Sequence, residues 1–156
     1  MLRALIVALC VLPLVAASSP TWDSCADSSD LLSHVSVTFP NQPVKGQPFS
    51  IRVEGTLATD CVDGAVYIAV TLNGVSIYST TQSMCGEHFS GKCPYAHGDI
   101  TYTDIVSLPS FVPSGNYVVN LDFYDQGKDD EPELTCLNVH FGLSSNLRSR
   151  TLKRNF

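Results

Sequence analysis

Basic residues are scarce in this chain. Between 18 and 142 there are four, Lys45, Arg52, Lys92 and Lys128, against all fifteen acidic residues, a net charge of −11. So acidic a body cannot neutralise phosphates, which argues against nucleic-acid binding. Long apolar runs are nearly absent. The single one, Leu5 to Ala17, is too short for a helix across a hydrocarbon core of about 30 Å, which takes about 20 residues. Catalytic signatures are missing as well: there is no Gly-x-Ser-x-Gly elbow and no His-Glu-x-x-His pair. No segment carries convincing helical periodicity, which excludes the strand–helix alternation of parallel-sheet folds. No Asn-x-Ser/Thr sequon follows the leader, so no glycan gives a sorting hint.

What is present begins with that short run. Arg3 precedes it, and Val15-Ala16-Ala17 supplies small residues at the −3 and −1 positions of a cleavage site, so residues 1–17 read as a signal peptide. A mature chain of 139 residues, 18 to 156, fits one domain with its own core. Its last segment, 144–156, holds Arg148, Arg150, Lys153 and Arg154 and reads as a solvated basic tail.

Five cysteines remain after the leader: Cys25, Cys61, Cys85, Cys93 and Cys136. A secretory chain makes disulfides the default, and an odd number leaves at least one cysteine outside any intrachain bridge. The stretch from Ser83 to Gly98 lacks hydrophobic alternation and needs an external constraint to repay its ordering entropy. A Cys85–Cys93 bridge would staple it, adding roughly 2.5 kcal/mol in the chain-entropy model. Spacing leaves the pairing of the other three open. Cys85, Cys93 and His97 match no standard zinc site. Asp125, Asp129, Asp130, Glu131 and Glu133 lack the alternate spacing of an EF-hand loop and read as a solvated hairpin tip. His34, His88, His97 and His140 are scattered and read as surface or strand residues. No cofactor or metal is expected, and no enzyme.

Period-2 alternation runs through the rest. Val35, Val37 and Phe39 form one strand; Phe49, Ile51 and Val53 a second, extending to Leu57; Val66, Ile68, Val70 and Leu72 a third. Asn73-Gly74 is a hairpin signal leading into a strand from Val75 to Thr81. Asp99 to Leu108 gives a fifth strand, Tyr117, Val119, Leu121 and Phe123 a sixth, and Leu134 to Leu143 a seventh, with Leu137, Val139 and Phe141 on one face. Seven strands with turns about every ten residues predict an all-β, immunoglobulin-like sandwich. Alternation alone does not say whether such an interior is packed solid or holds a ligand.

Several motifs bear on that. Trp22-Asp23-Ser24-Cys25, Pro43-Val44-Lys45-Gly46-Gln47-Pro48, Met84-Cys85 with Cys93-Pro94, Leu108 through Tyr117, and Leu134-Thr135-Cys136-Leu137 stand in an order and spacing that resemble the ML lipid-recognition domain over about Trp22 to Gly142. The resemblance is greatest to the secreted phosphatidylglycerol/phosphatidylinositol transfer type, relatives of the Niemann–Pick-type sterol carriers. It implies a domain over 18–143 whose two sheets part to hold a lipid, without cofactor or catalysis. It also implies bridges Cys25–Cys136 and Cys85–Cys93, with Cys61 outside both. Cys61 and the length of the acidic loop and basic tail depart from the motif, and neither departure touches the expected cavity.

The inward faces would then line the cavity: Val37 and Phe39, Ile51 and Val53, Val66, Ile68 and Val70, Tyr117, Val119, Leu121 and Phe123, Val139 and Phe141. The expected mouth lies near the stapled loop and the Phe111-Val112 turn, with Tyr95 and Tyr102 on its rim. The expected protein is a monomeric carrier of a phospholipid or sterol, touching membranes transiently, in the exterior or a lysosomal or vacuolar lumen. The rival reading is an extracellular lipid-sensing module that acts through a protein partner.

Overall fold

The computed structural model describes residues 19–126 and 132–144. The expected signal peptide over 1–17, acidic residues Asp129, Asp130 and Glu131, and the basic tail beyond Ser144 lie outside them. Eight strands are present: β1 (Thr21–Ser24), β2 (Leu32–Thr38), β3 (Pro48–Leu57), β4 (Gly64–Leu72), β5 (Val75–Ser83), β6 (Gly98–Ser107), β7 (Gly115–Asp125) and β8 (Glu133–Leu143). They form two antiparallel sheets, one in the order β1-β8-β7-β4-β5 and one in the order β2-β3-β6. The described part is an all-β sandwich, as the alternation predicts.

The cleanest patterns give the best-packed strands. In β3, Phe49, Ile51, Val53 and Leu57 are buried; in β7, Tyr117, Val119, Leu121 and Phe123 are, while the intervening residues are less so. Opposed alternating faces of this kind make the interior of a sandwich. Asn73 and Gly74 both take positive φ (50° and 83°) between β4 and β5, the geometry a two-residue hairpin with right-handed twist requires.

Three details differ from expectation. The count of seven becomes eight, because β1 is built from a polar stretch with no alternation. It exists through its register against β8, Thr21 to Ser24 opposite His140 to Leu137, and through the Cys25–Cys136 disulfide that follows at once. Val35 is only half-buried, because the register of β2 on β3 shifts between Ser33 and Ser36 and His34 takes φ 53°. Asp125 is not part of a solvated tip. It ends β7 fully buried, with its Oδ1 accepting the Asp63 N–H at 3.4 Å and its own N–H donated to the Pro132 carbonyl at 3.1 Å.

Both disulfides stand where the motif resemblance implied, Cys25–Cys136 across 111 positions and Cys85–Cys93 across 8. The Cys85–Cys93 bridge consumes the two thiols that a zinc site with His97 would need. Cys61 lies outside both bridges and is fully buried, its N–H and carbonyl exchanging 2.9 Å bonds with those of Tyr95. A thiol so enclosed is out of reach of another chain.

The carboxyls of Asp30, Asp122 and Glu133 are pushed up, in each case chiefly by burial, and neighbouring acids add to the effect at Asp30 and Glu133. A raised carboxyl makes the folded chain bind more protons than the unfolded one, so stability falls as pH rises through the window above the ordinary carboxylate values. Asp23 and Asp27 work oppositely. Hydrogen bonds from Asn138 and His140 to the first, and from Ser29 to the second, hold them below the ordinary value. Their contribution is lost only as pH falls through those lowered values. Urea midpoints are therefore expected to rise as pH falls from neutral toward the ordinary carboxylate value of about 4, and to fall again below it. A steady loss from neutral pH downward would contradict this account.

Candidate functional site

The sandwich is closed at one end and open along one side. The closed end is built by the stapled loop, which carries Phe89 (6% exposed) inward. The Phe89 ring sits 4.8 Å from Tyr102, 6.1 Å from Tyr95 and 6.3 Å from Phe123, and Tyr102 meets Phe123 edge-on at 5.4 Å. The Tyr95 hydroxyl donates to the Met84 carbonyl at 2.8 Å. These rings form an aromatic plug. Holding the loop to a short ring limits how far it can unfold and leaves Phe89 lodged between the sheets.

The open side is the seam between β5 and β6, one edge strand from each sheet. There the interior widens into a cavity of about 480 Å³, within the ordinary range for sites that bury a small ligand. Ile68 and Val70 of β4, Tyr117 and Val119 of β7 and Phe141 of β8 form the back wall. Tyr117 and Phe141 stack at 5.4 Å with their planes 4° apart, and Phe49 braces Phe141 at 5.1 Å. Ile77, Tyr78, Thr80 and Gln82 of β5 and Asp104 through Ser107 of β6 flank the seam, with Leu108, Pro109 and Val112 at its far end. Ile77 (50% exposed), Tyr78 (57%) and Ile105 (63%) mark the mouth. Phe111, beside Val112, is 85% exposed and projects from the same end of the sandwich. The backbone of the neighbouring loop ties down that end, with the Gly46 N–H donating to the Leu108 carbonyl at 2.6 Å and the Lys45 Nζ to the Ser114 hydroxyl at 2.8 Å.

Six of the residues expected at the lining meet here: Ile68, Val70, Val112, Tyr117, Val119 and Phe141. The structure places the others elsewhere. Val37, Ile51, Val53, Val66, Leu121, Phe123 and Val139 are buried in the closely packed remainder of the sandwich, and Phe39 is half-buried against Phe49. Phe111 stands outside the cavity. Tyr95 and Tyr102 are 6% and 1% exposed, core residues of the plug rather than rim. Phe89 fills the stapled-loop end, and the cavity lies along the β5–β6 seam toward Leu108, Pro109 and Val112.

The residues that alternation missed are those of β5 and the outer half of β6. Most of β5 is Ser, Thr and Gln, which gives no apolar stripe. Two of its large apolar residues, Ile77 and Tyr78, are adjacent, and both reach the cavity because the β4–β5 register slips between Val70 and Thr71 and leaves Ile77 as an extra residue. Adjacent apolar residues in a hairpin strand were the available signal. Burial, and after it the charge and hydrogen bonding of Asp104, pushes the Tyr102 phenol far up, so it stays a donor at every physiological pH.

Chemically, the site offers apolar area, a few hydroxyl, amide and carboxylate groups along one seam and, among the described residues, no lysine or arginine in its wall. Among the described residues, the one cluster of potential metal ligands is Cys25, Asp122 and Cys136, and its two cysteines are already joined by a disulfide.

Comparison with known proteins places the chain in a family. The family model described as ML domain matches residues 19–143. The chain is 34% identical over 121 residues to the phosphatidylglycerol/phosphatidylinositol transfer protein of Aspergillus fumigatus, covering 74% of this chain and 67% of that protein. Two solved structures share its fold. One is a Niemann-Pick type C2 protein from Japanese carpenter ant (TM-score 0.59, 12% identity, 80% of this chain and 99% of the other). The other is chicken MD-1 complexed with lipid IVa (TM-score 0.55, 17% identity, 79% and 88%). The chain belongs to the ML domain family.

Proposed function

We propose that this protein is a lipid carrier. It takes the apolar part of a phospholipid or sterol into the cavity between β4–β5 and β6 and exchanges it with membranes. The observation that carries this reading is the cavity itself: about 480 Å³, walled by Ile68, Val70, Tyr117, Val119 and Phe141, and open at a seam rimmed by Ile77, Tyr78 and Ile105. Apolar area leaving water contributes about 25 cal/mol per Å², so burying roughly 400 Å² of lipid would give roughly 10 kcal/mol before association costs. A bilayer offers a similar gain, so extraction and return are both accessible. The exposed rim, with Phe111 beyond it, would rest on the bilayer while the lipid crosses. The transfer protein of Aspergillus fumigatus and the lipid-bound MD-1 support this reading. Two disulfides, with these relatives, support an extracellular or lumenal place of work.

The test is transfer of fluorescent phosphatidylglycerol, phosphatidylinositol and sterol between donor and acceptor vesicles, with the purified chain alone. The expected result is transfer that rises in proportion to protein for at least one of the three. No acceleration with any of them would overturn the carrier reading in favour of a module that needs a protein partner.

A further inference from the structure

The cavity wall contains one charge in an unexpected place. Along β6 the inward face runs Ile100, Tyr102, Asp104, Val106, continuing to Leu108, so Asp104 occupies a position that the pattern reserves for an apolar residue. Its side chain is 13% exposed and borders the cavity. Its Oδ1 accepts the Ile105 N–H at 2.8 Å and faces His88 Nδ1 at 3.6 Å. The Tyr102 hydroxyl is within hydrogen-bonding reach of it as well, and since a carboxylate offers about four acceptor positions, some capacity remains for the cavity. Across the seam stands Gln82, whose Oε1 accepts the Tyr102 hydroxyl at 3.2 Å. Its side-chain amide, which carries two N–H donors, borders the same space. Thr80 lies beside it on β5.

An acceptor and a donor facing one cavity fit a group that is both. A hydroxyl donates one hydrogen bond and accepts others, and it carries no charge to desolvate. A phosphate moved into this corner would meet the Asp104 carboxylate with no lysine or arginine among the described residues of the wall to offset it. We propose that Asp104, with Gln82 opposite, is a specificity-determining pair that binds a hydroxyl on the polar end of the carried lipid. This rests on the carrier reading above and narrows its substrate class to hydroxyl-bearing lipids. The hydroxyl can come from a sterol or from the polyol of a phospholipid headgroup. An inward carboxylate on an edge strand also discourages strand addition. That role alone would show as self-association on mutation and would leave lipid preference unchanged.

The experiment measures uptake from phosphatidylcholine vesicles by mass spectrometry of extracted lipid, using two matched pairs. One is cholesterol against its 3-methyl ether. The other is phosphatidylglycerol against phosphatidylethanol, which carries the same charge without the hydroxyls. The wild-type chain is expected to favour the hydroxylated member of at least one pair by about tenfold, the scale of one hydrogen bond to a charged acceptor. The pair that responds identifies the source of the hydroxyl. Asp104→Val should bring the ratio close to one, and Gln82→Leu should reduce it independently, in proteins whose urea midpoints stay near wild type. Equal uptake within both pairs, or a preference unchanged in both variants, would overturn the inference and leave the carrier reading standing. No uptake of any of the four lipids would overturn both.

Discussion

Val70→Trp is expected to empty the carrier without unfolding it. Val70 lies opposite Val119 of β7 and Tyr78 of β5, and all three line the cavity, so a larger side chain there grows into open space rather than into packed core. An indole in place of the isopropyl group would fill part of that space of about 480 Å³ and project toward Tyr78 and Val119. Excluding even roughly 60 Å² of ligand surface costs about 1.5 kcal/mol, a tenfold loss of uptake, and a ligand shut out entirely loses more. Stability should hold or rise, by up to about 1 kcal/mol, since filling a cavity is a common stabilising change. The combination is diagnostic. Vesicle uptake at least tenfold lower with an unchanged or higher urea midpoint places the ligand against β4. Undiminished uptake in a folded Val70→Trp chain would mean the lipid sits elsewhere.

The second large effect concerns stability. Replacing both Cys25 and Cys136 with alanine removes a bridge that closes a loop over 111 positions, worth roughly 4.7 kcal/mol in the chain-entropy model. The same change at Cys85 and Cys93, across 8 positions, should cost roughly 2.5 kcal/mol. The long bridge also holds the four-residue β1 on β8, reinforced by the Cys25 N–H donating to the Cys136 carbonyl at 3.0 Å. For a domain whose whole stability lies in the range of about 5–15 kcal/mol, the first loss is severe. The two variants should part functionally as well. Opening the Cys85–Cys93 loop frees Phe89 and loosens the closed end near Gln82, whereas losing Cys25–Cys136 acts far from the mouth. Denaturant unfolding that ranks the short bridge above the long one would contradict this account.

The architecture was legible wherever a strand has one buried and one wet face. Phe49-Ile51-Val53 and Tyr117-Val119-Leu121-Phe123 alternate because each sheet packs only one side against the other, and both runs form the strands that pattern implies. β1 was hidden because its order comes from a partner strand and a disulfide, neither of which leaves a trace in four residues where Trp22 stands alone among Thr21, Asp23 and Ser24. The cavity was half legible. Its back wall is apolar and alternating, as a packed core also is, so periodicity marks Val70 and Val53 alike, although one faces open space and the other does not. The seam was illegible because edge strands facing a cavity are not held to strict alternation: β5 supplies Thr80 and Gln82, and β6 supplies Asp104. The position of the mouth needed one further fact. A disulfide-closed loop can either hold an entrance open or lodge a ring in it, and only the placement of Phe89 against Tyr102 and Phe123 tells which.

The most direct test of the account is native mass spectrometry of the protein purified without added lipid, followed by organic extraction of whatever it carries. The account predicts one lipid per chain, bound in wild type and absent or much depleted in Val70→Trp. A wild-type chain at its bare mass, which also takes up neither phospholipid nor sterol from vesicles, would contradict it.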